Sequence, residues 1–274
     1  MERKLIKQGD NALTITLPAK WLRESALNAG DAVFLEKENN RIIINTLKTT
    51  PRREITTDII GLERSAAFQR VLALYINGYD LISIKHNNPL LINDISKELI
   101  GMVIEKQTDT ISILKNLIVV PEENIEGIIS RIRFMLLEQS NTLVKIAQGT
   151  EKIEKLQTEE KLLDYNILYT LRYISKYEQS QDAYRLFSFC IIIDLIADLI
   201  TEIGIHIKKE IKLAKLIKST IEKYTSLAFK GDLQNLNREL RTFRNGIEKK
   251  SFVDGLAYGL AEAMYNFIGY MVEK

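Results

Sequence analysis

The first fifty residues hold more apolar strand than they can cover, and that imbalance constrains the chain more than any other feature. Leu13-Thr-Ile-Thr-Leu17 alternates apolar and polar residues, the period-two pattern of a half-buried strand. Pro18 stops the strand and suits the first turn of a helix, which Lys20 to Leu27 supplies as about two turns. Asn28-Ala-Gly30-Asp31 has the chemistry of a turn after a helix end. Val33 to Glu36 and Arg41 to Asn45 read as strands joined by the polar turn Lys37-Glu-Asn-Asn40. A few strands and one short helix are too little for an independent core, and no disulfide or metal set is at hand to staple them. A second copy is the remaining remedy, so a homodimer through this module is expected.

The order strand, Leu-Pro, helix, Gly-Asp, strand, turn, strand resembles the AbrB/SpoVT swapped-hairpin family. Leu17-Pro18, Trp21 and Gly30-Asp31 carry the likeness, which runs from about Arg3 to Asn45. Gly9-Asp-Asn11 stands where many relatives have a glycine-rich turn. The resemblance implies two chains interlaced into one small β-barrel that binds double-stranded DNA. Charge points the same way: residues 1–53 hold ten Lys and Arg against six acids, whereas the rest holds 28 against 30. Cations on phosphates supply most non-specific DNA affinity, which makes Arg3, Lys4, Lys7, Lys20 and Arg23 the candidate DNA contacts. An ordinary solvated basic face is the alternative.

The remaining composition mostly excludes. A net charge of +2 in 274 residues rules out a simple polycation. The single cysteine, Cys190, sits in an apolar run, so there is no disulfide framework; a buried inert thiol and a reducing compartment are expected. No N-terminal basic-then-apolar signal appears. The most apolar stretch, Phe187 to Ile200, spans fourteen residues and carries Asp194 and Asp198. That is too short and too charged for a bilayer, so a cytoplasmic protein that is not an integral membrane protein is expected.

Proline marks the boundaries. Pro51 closes the N-terminal module, and Pro121 opens 153 proline-free residues. Between them the pattern predicts a strand at Glu54 to Asp58, a helix from Glu63 to Asn77, a strand from Asp80 to Lys85 and a helix from Leu91 to Leu99. A hairpin around Gln107-Thr-Asp109 follows. From residue 122 the period becomes helical, with helices expected over 122–148, 151–178, 181–207, 209–230, 232–248 and 251–272. Short joints make neighbours antiparallel, and the six helices divide into two similar sets of three. The expected fold is therefore multidomain α+β, with a swapped-hairpin module over 1–50 and a small α/β connector over 51–120. An all-α domain follows over 121–274.

Asp194, Asp198, Glu202 and His206 recur every four residues, so they climb one face of a helix. Acids inside so apolar a helix face water, pair with cations or bind metal, because an unpaired buried carboxylate is costly. Such a donor set suits hard or borderline divalent ions and iron. The layout resembles the PhoU family, whose two three-helix bundles carry Glu/Asp-x-x-x-Asp motifs that in some members bind metal. Asp194-Leu-Ile-Ala-Asp198 fits the first motif, and Asp164, Leu168, Tyr169 and Arg172 fit the preceding helix. In the second repeat, Tyr258-Gly-Leu-Ala-Glu262 has a tyrosine in place of the first acid. The resemblance implies divalent metal or iron at Asp194, Asp198 and Glu202, with Glu262 at the second motif. The alternative is a groove closed by hydrogen bonds from Tyr165, Tyr169, Tyr173 and Tyr177, which repeat every four residues on the neighbouring helix. His206 is expected at the surface, and so is His86, in the polar turn Lys85-His-Asn-Asn88. The basic run Lys208 to Lys218 reads as a solvated outer face.

No phosphate-binding glycine loop is present, and two histidines with one cysteine leave little for hydrolase or Cys–His chemistry. No enzyme activity is expected. Together the two resemblances imply a homodimeric, DNA-binding regulator of phosphate uptake. The rival reading is an adaptor that controls a phosphate transporter ATPase or a sensor kinase by protein contact, with the N-terminal module serving only dimerisation.

Overall fold

The computed structural model describes residues 3–9, 12–38, 41–45, 52–118, 125–177, 183–230, 232–248 and 250–267. The expected turn residues Asp10, Asn11, Asn39 and Asn40, the boundary prolines Pro51 and Pro121, and the last expected helical turn over 268–272 lie outside them. The chain divides into two compact units, 1–50 and 51–274.

In the first unit β1 (Ile6–Gln8) pairs antiparallel with β2 (Ala12–Thr14), and β3 (Phe34–Glu38) with β4 (Arg41–Asn45). Between the hairpins lies α1 (Ala19–Glu24), entered through Pro18. The helix ends earlier than its sequence suggests, because Ala26 takes a left-handed φ of 52° and Leu27 N–H turns back to the Leu22 carbonyl. Similarly, the strand expected over Leu13 to Leu17 stops at Thr14: β1 offers no partner beyond the Ile6–Thr14 pair. The two hairpins form separate two-stranded sheets, and the described residues of the single chain make no closed barrel. None of those whose burial is described, 3–9, 12–35, 42 and 44, is buried.

The second unit begins with β5 (Glu54–Asp58), α2 (Arg64–Ile76), β6 (Leu81–Lys85), α3 (Pro89–Lys97), β7 (Met102–Gln107) and β8 (Ile111–Asn116). The strand order is β5-β6-β8-β7, with the first pair parallel and the others antiparallel. Gly78, at φ 82°, turns the chain after α2, and Asn88 caps α3 by accepting from Leu91 N–H at 3.3 Å. Val71, Tyr75, Ile82, Ile84, Ile92 and Leu114 are the centre of this core. His86 corrects the sequence reading, for it is buried. Its N–H extends the pairing to the Thr110 carbonyl, and its Nε2 lies 2.7 Å from Ser112 Oγ.

Six helices complete the unit: α4 (Ile125–Gln148), α5 (Ile153–Tyr177), α6 (Ala183–His206), α7 (Ile211–Lys230), α8 (Leu233–Gly246) and α9 (Phe252–Phe267). Their breaks have local causes. Gly149 is left-handed, with Thr150 N–H returning to the Lys145 carbonyl; Lys209 sits at φ 58° between α6 and α7. At α9, Ser251 Oγ accepts from Asp254 N–H while the Asp254 carboxylate accepts from Ser251 N–H, a reciprocal capping box. α4 packs on α7 and α6 on α9, so the two expected three-helix sets share one core around Leu136, Ile167, Ile196, Ile221, Leu240 and Leu260. The connector expected over 51–120 belongs to the same compact unit as these helices, with α2 packed on α5.

Candidate nucleic-acid interface and the acidic helix face

Three of the candidate DNA contacts, Arg3, Lys4 and Lys7, lie on or just before β1, and all three are exposed. Lys20 and Arg23 stand three residues apart on α1, also exposed. Lys20 reaches Glu24 at 3.8 Å with both side chains mostly in water, a pairing too weak to withhold it from a phosphate. Arg23 Nε donates to the Ala19 carbonyl at 3.3 Å, which fixes its stem along the helix and leaves the rest of the fork available. Around these cations the unit exposes Leu5, Ile6, Leu13, Ile15, Leu35 and Ile42, the last at 71%.

The second candidate site forms between α5 and α6. Asp194, Asp198 and Glu202 climb α6 as expected, and Glu160 and Asp164 of α5 join them. Burial raises Glu160, Asp164, Asp194 and Asp198 from their ordinary values. The neighbouring acids add to it, pushing Asp164 up to about 7 and Asp194 to about 6. Glu160 is hydrogen-bonded to Thr201 and Asp198, which ties the α5 and α6 acids together. Gln139 of α4 joins this polar seam, its Nε2 donating to Thr201 Oγ1 and the Ala197 carbonyl, both at 3.1 Å. Asp164 Oδ1 is buried without a hydrogen-bond partner.

Of the residues expected to take metal, Asp194, Asp198 and Glu202 stand on α6 and Glu262 on α9. Among the described residues no three His, Cys, Asp or Glu side chains stand where one ion could be held. Glu202 Oε1 instead lies 3.0 Å from His206 Nε2, and Glu262 Oε1 accepts from Arg244 Nη1 at 3.1 Å. His206 is at the surface, as expected, with its ring edge-on to Phe252. Of the tyrosine ladder, Tyr165 lies under Lys161, and the Tyr173 and Tyr177 rings meet at 5.4 Å. Glu160 escaped the sequence reading although its spacing to Asp164 repeats, on α5, the four-residue step used to find the α6 stripe.

A small basic unit, in which no residue of described burial is buried, is joined to a larger α+β unit, which defines a chain with a strand-and-helix module over its first fifty residues. That module is MazE/AbrB-like: residues 6–56 match the family model described as antidote-toxin recognition MazE, bacterial antitoxin. Such domains commonly bind DNA and dimerise. The match leaves residues 57–274 outside it. No curated protein and no solved structure matches the chain. No helix among the described residues is long and apolar enough to cross a membrane.

Proposed function

We propose that the chain is a homodimeric, DNA-binding transcriptional regulator of phosphate uptake, in which two N-terminal units interlace and present their cations to a duplex. The observation that carries this reading is the uncovered apolar surface of 1–50. Leu5, Ile6, Leu13, Ile15, Leu35 and Ile42 are all at least half exposed in one chain. Covering them on two chains is worth on the order of 10–20 kcal/mol, against about 4–15 kcal/mol for association. The MazE-type match over 6–56 and the surplus of cations support the duplex as ligand. The phosphate role rests on the resemblance of 121–274 to the PhoU family, which the two sets of three helices and the Asp194–Asp198 spacing support. The reading assigns the chain no catalytic activity.

The mechanism is differential affinity: a signal that shifts the helices must favour one of two states that hold DNA unequally. Duplex binding titrated with salt tests it. The logarithm of affinity is expected to fall linearly with the logarithm of salt, and Lys4→Ala or Lys7→Ala, each removing one cation from both chains of the dimer, to shallow that slope by up to about 1.8.

The second reading is contact with a protein, either a transporter ATPase, a sensor kinase or, as the matched family's description suggests, a toxin. The same exposed apolar residues are compatible with it, since this reading asks only that the N-terminal unit dimerise through them. No duplex binding at moderate salt, together with a dimer in solution, would select this alternative.

A further inference from the structure

Among the described strands the sheet of the second unit has β5 at one edge and β7 at the other, and only β7 is protected. It carries a bulge between Ile104 and Lys106, places Lys106 in the strand and ties Glu105 to Lys115 of β8. Bulges and edge lysines are the usual defences against pairing with another chain. β5 has neither: its register is regular over Glu54–Asp58, and its centre is the β-branched run Ile55-Thr56-Thr57.

Leu81 N–H donates to the Arg53 carbonyl at 3.1 Å and Ile59 N–H to the Lys85 carbonyl at 3.0 Å, so the odd-numbered residues turn their backbone towards β6. Alternation then points the N–H and C=O groups of Glu54, Thr56 and Asp58 away from the sheet. The Asp58 carbonyl accepts from Arg70 Nη1 at 3.1 Å, whereas no described strand lies against Glu54 and Thr56. Ile55 is half-buried at the margin of the core beneath.

We propose that β5 pairs antiparallel with β5 of a second copy about a two-fold axis through Ile55, joining the two sheets edge to edge. Charge selects that register. Arg52, Glu54, Thr56 and Asp58 share one face. With Ile55 facing its own copy, each Arg52 lies opposite an Asp58 and each Glu54 opposite a Thr56. An axis at Thr56 would set Glu54 against Asp58 twice, and an axis at Glu54 would set that carboxylate against itself. Like charges directly opposite destabilise a ladder. Within one chain Arg52 lies 3.5 Å from Glu54 with both side chains about half in water, a weak contact that lets it turn to the opposed Asp58.

A strand of this length buries well below the roughly 1,200–2,000 Å² of a stable interface. It closes between chains that another contact already holds together, where the effective concentration is on the order of millimolar. In this respect the proposal rests on the reading of the N-terminal unit as a dimer, although the contact itself lies wholly within the second unit of each copy.

The test uses the full-length chain. Opposed residues of a non-hydrogen-bonded pair have Cα atoms about 4.5 Å apart, within disulfide reach, whereas diagonal neighbours stand about 7–8 Å apart. Under mild oxidation Ile55→Cys is therefore expected to cross-link at least tenfold faster than Thr56→Cys; the native Cys190 is buried. Amide exchange gives a reading that leaves Ile55 in place. Glu54 and Thr56 N–H are expected to exchange within tenfold of Ile55 and Thr57, although they lie on an edge. Asp58→Arg should speed Glu54 and Thr56 tenfold or more, and adding Arg52→Asp should restore them. Both variants lose the Asp58 bond to Ile60 N–H equally, so restoration reports the cross-strand pair. Faster cross-linking through Thr56→Cys, free exchange at Glu54 and Thr56, or no restoration by the double variant would overturn the pairing. Protected edge amides without cross-linking by either cysteine would overturn it as well, because a strand of different origin then covers β5. A monomeric unaltered chain in sedimentation would sink the dimer reading instead, and the two cysteine rates, taken at about millimolar protein, would then decide the pairing.

Discussion

Gly204 of α6 passes Leu156 of α5 so closely that a Cβ on the glycine would run into the Leu156 Cδ2 methyl. Ile153 Cδ1 would stand 3.2 Å from the same atom. Leu156 is fully buried, so its methyl has no free space to swing into. Gly204 is helical, and alanine there would gain about 1 kcal/mol in helix propensity. Overpacking costs about 1–3 kcal/mol, which matches that gain at its low end and exceeds it elsewhere. Gly204→Ala is therefore expected to lower stability by up to about 2 kcal/mol, read by urea or thermal unfolding. In a double-mutant cycle Leu156→Ala should cost less beside Ala at 204 than alone, because each change makes room for the other.

The acids between α5 and α6 give a second prediction. Asp164 and Asp194, raised to about 7 and about 6, hold protons in the folded chain that they have lost in the unfolded one across the interval from about pH 4 to 7. The folded state binds more protons there, so this contribution falls as pH rises from 5 to 8. Glu160 and Asp198 act in the same direction. These groups are partly solvated, so the combined loss is about 1–2 kcal/mol after allowance for screening. Asp164→Asn should flatten that slope and raise stability at pH 8, measured by thermal unfolding across the range. Asp80 acts oppositely. Burial alone would raise it, but the Lys176 hydrogen bond, the Arg53 N–H and both cations outweigh that and hold it below the usual range. Its contribution is present at neutral pH and is lost only as pH falls below about 4.

Periodicity made most of the architecture legible. The β-α-β-α-β-β order and all six long helices follow from apolar spacing, glycine stops and caps, which are local signals. What stayed hidden depends on distant partners. Asp80 reads only as the start of a strand after Gly78, yet the cations that pair with it are Arg172 and Lys176, 92 and 96 positions away. His86 reads as exposed because its neighbours are polar, but Asn88 spends its side chain capping α3 and the ring turns in to Ser112. In the acidic helix face, the sequence showed the α6 stripe but not that its nearest company would be two more acids from α5.

Cys190 offers a clean probe of the helical core. It is fully buried in α6, and burial, with a smaller push from Asp194, raises its thiol to about 12. The thiolate is the reactive form, so native protein is expected to resist thiol reagents at pH 8. Labelling should then proceed no faster than the opening of the helices, and Gly204→Ala should accelerate it. Rapid labelling of native protein would contradict the packing described.

The last prediction concerns the N-terminal unit. Leu13 and Ile42 are 62% and 71% exposed in the single chain, one on each hairpin. If a second copy covers them, a carboxylate at either place must be buried without a partner, at a cost of several kcal/mol per chain. Leu13→Asp and Ile42→Asp are each expected to turn the dimer into a monomer, read by sedimentation. The α-helical circular dichroism should stay near that of the unaltered chain, because the helices of 125–267 belong to the other compact unit. Duplex affinity should fall with the dimer, since one chain retains only its own cations and the shared surface is gone. A variant that remains dimeric would place those side chains in water and remove the principal support for interlaced N-terminal units.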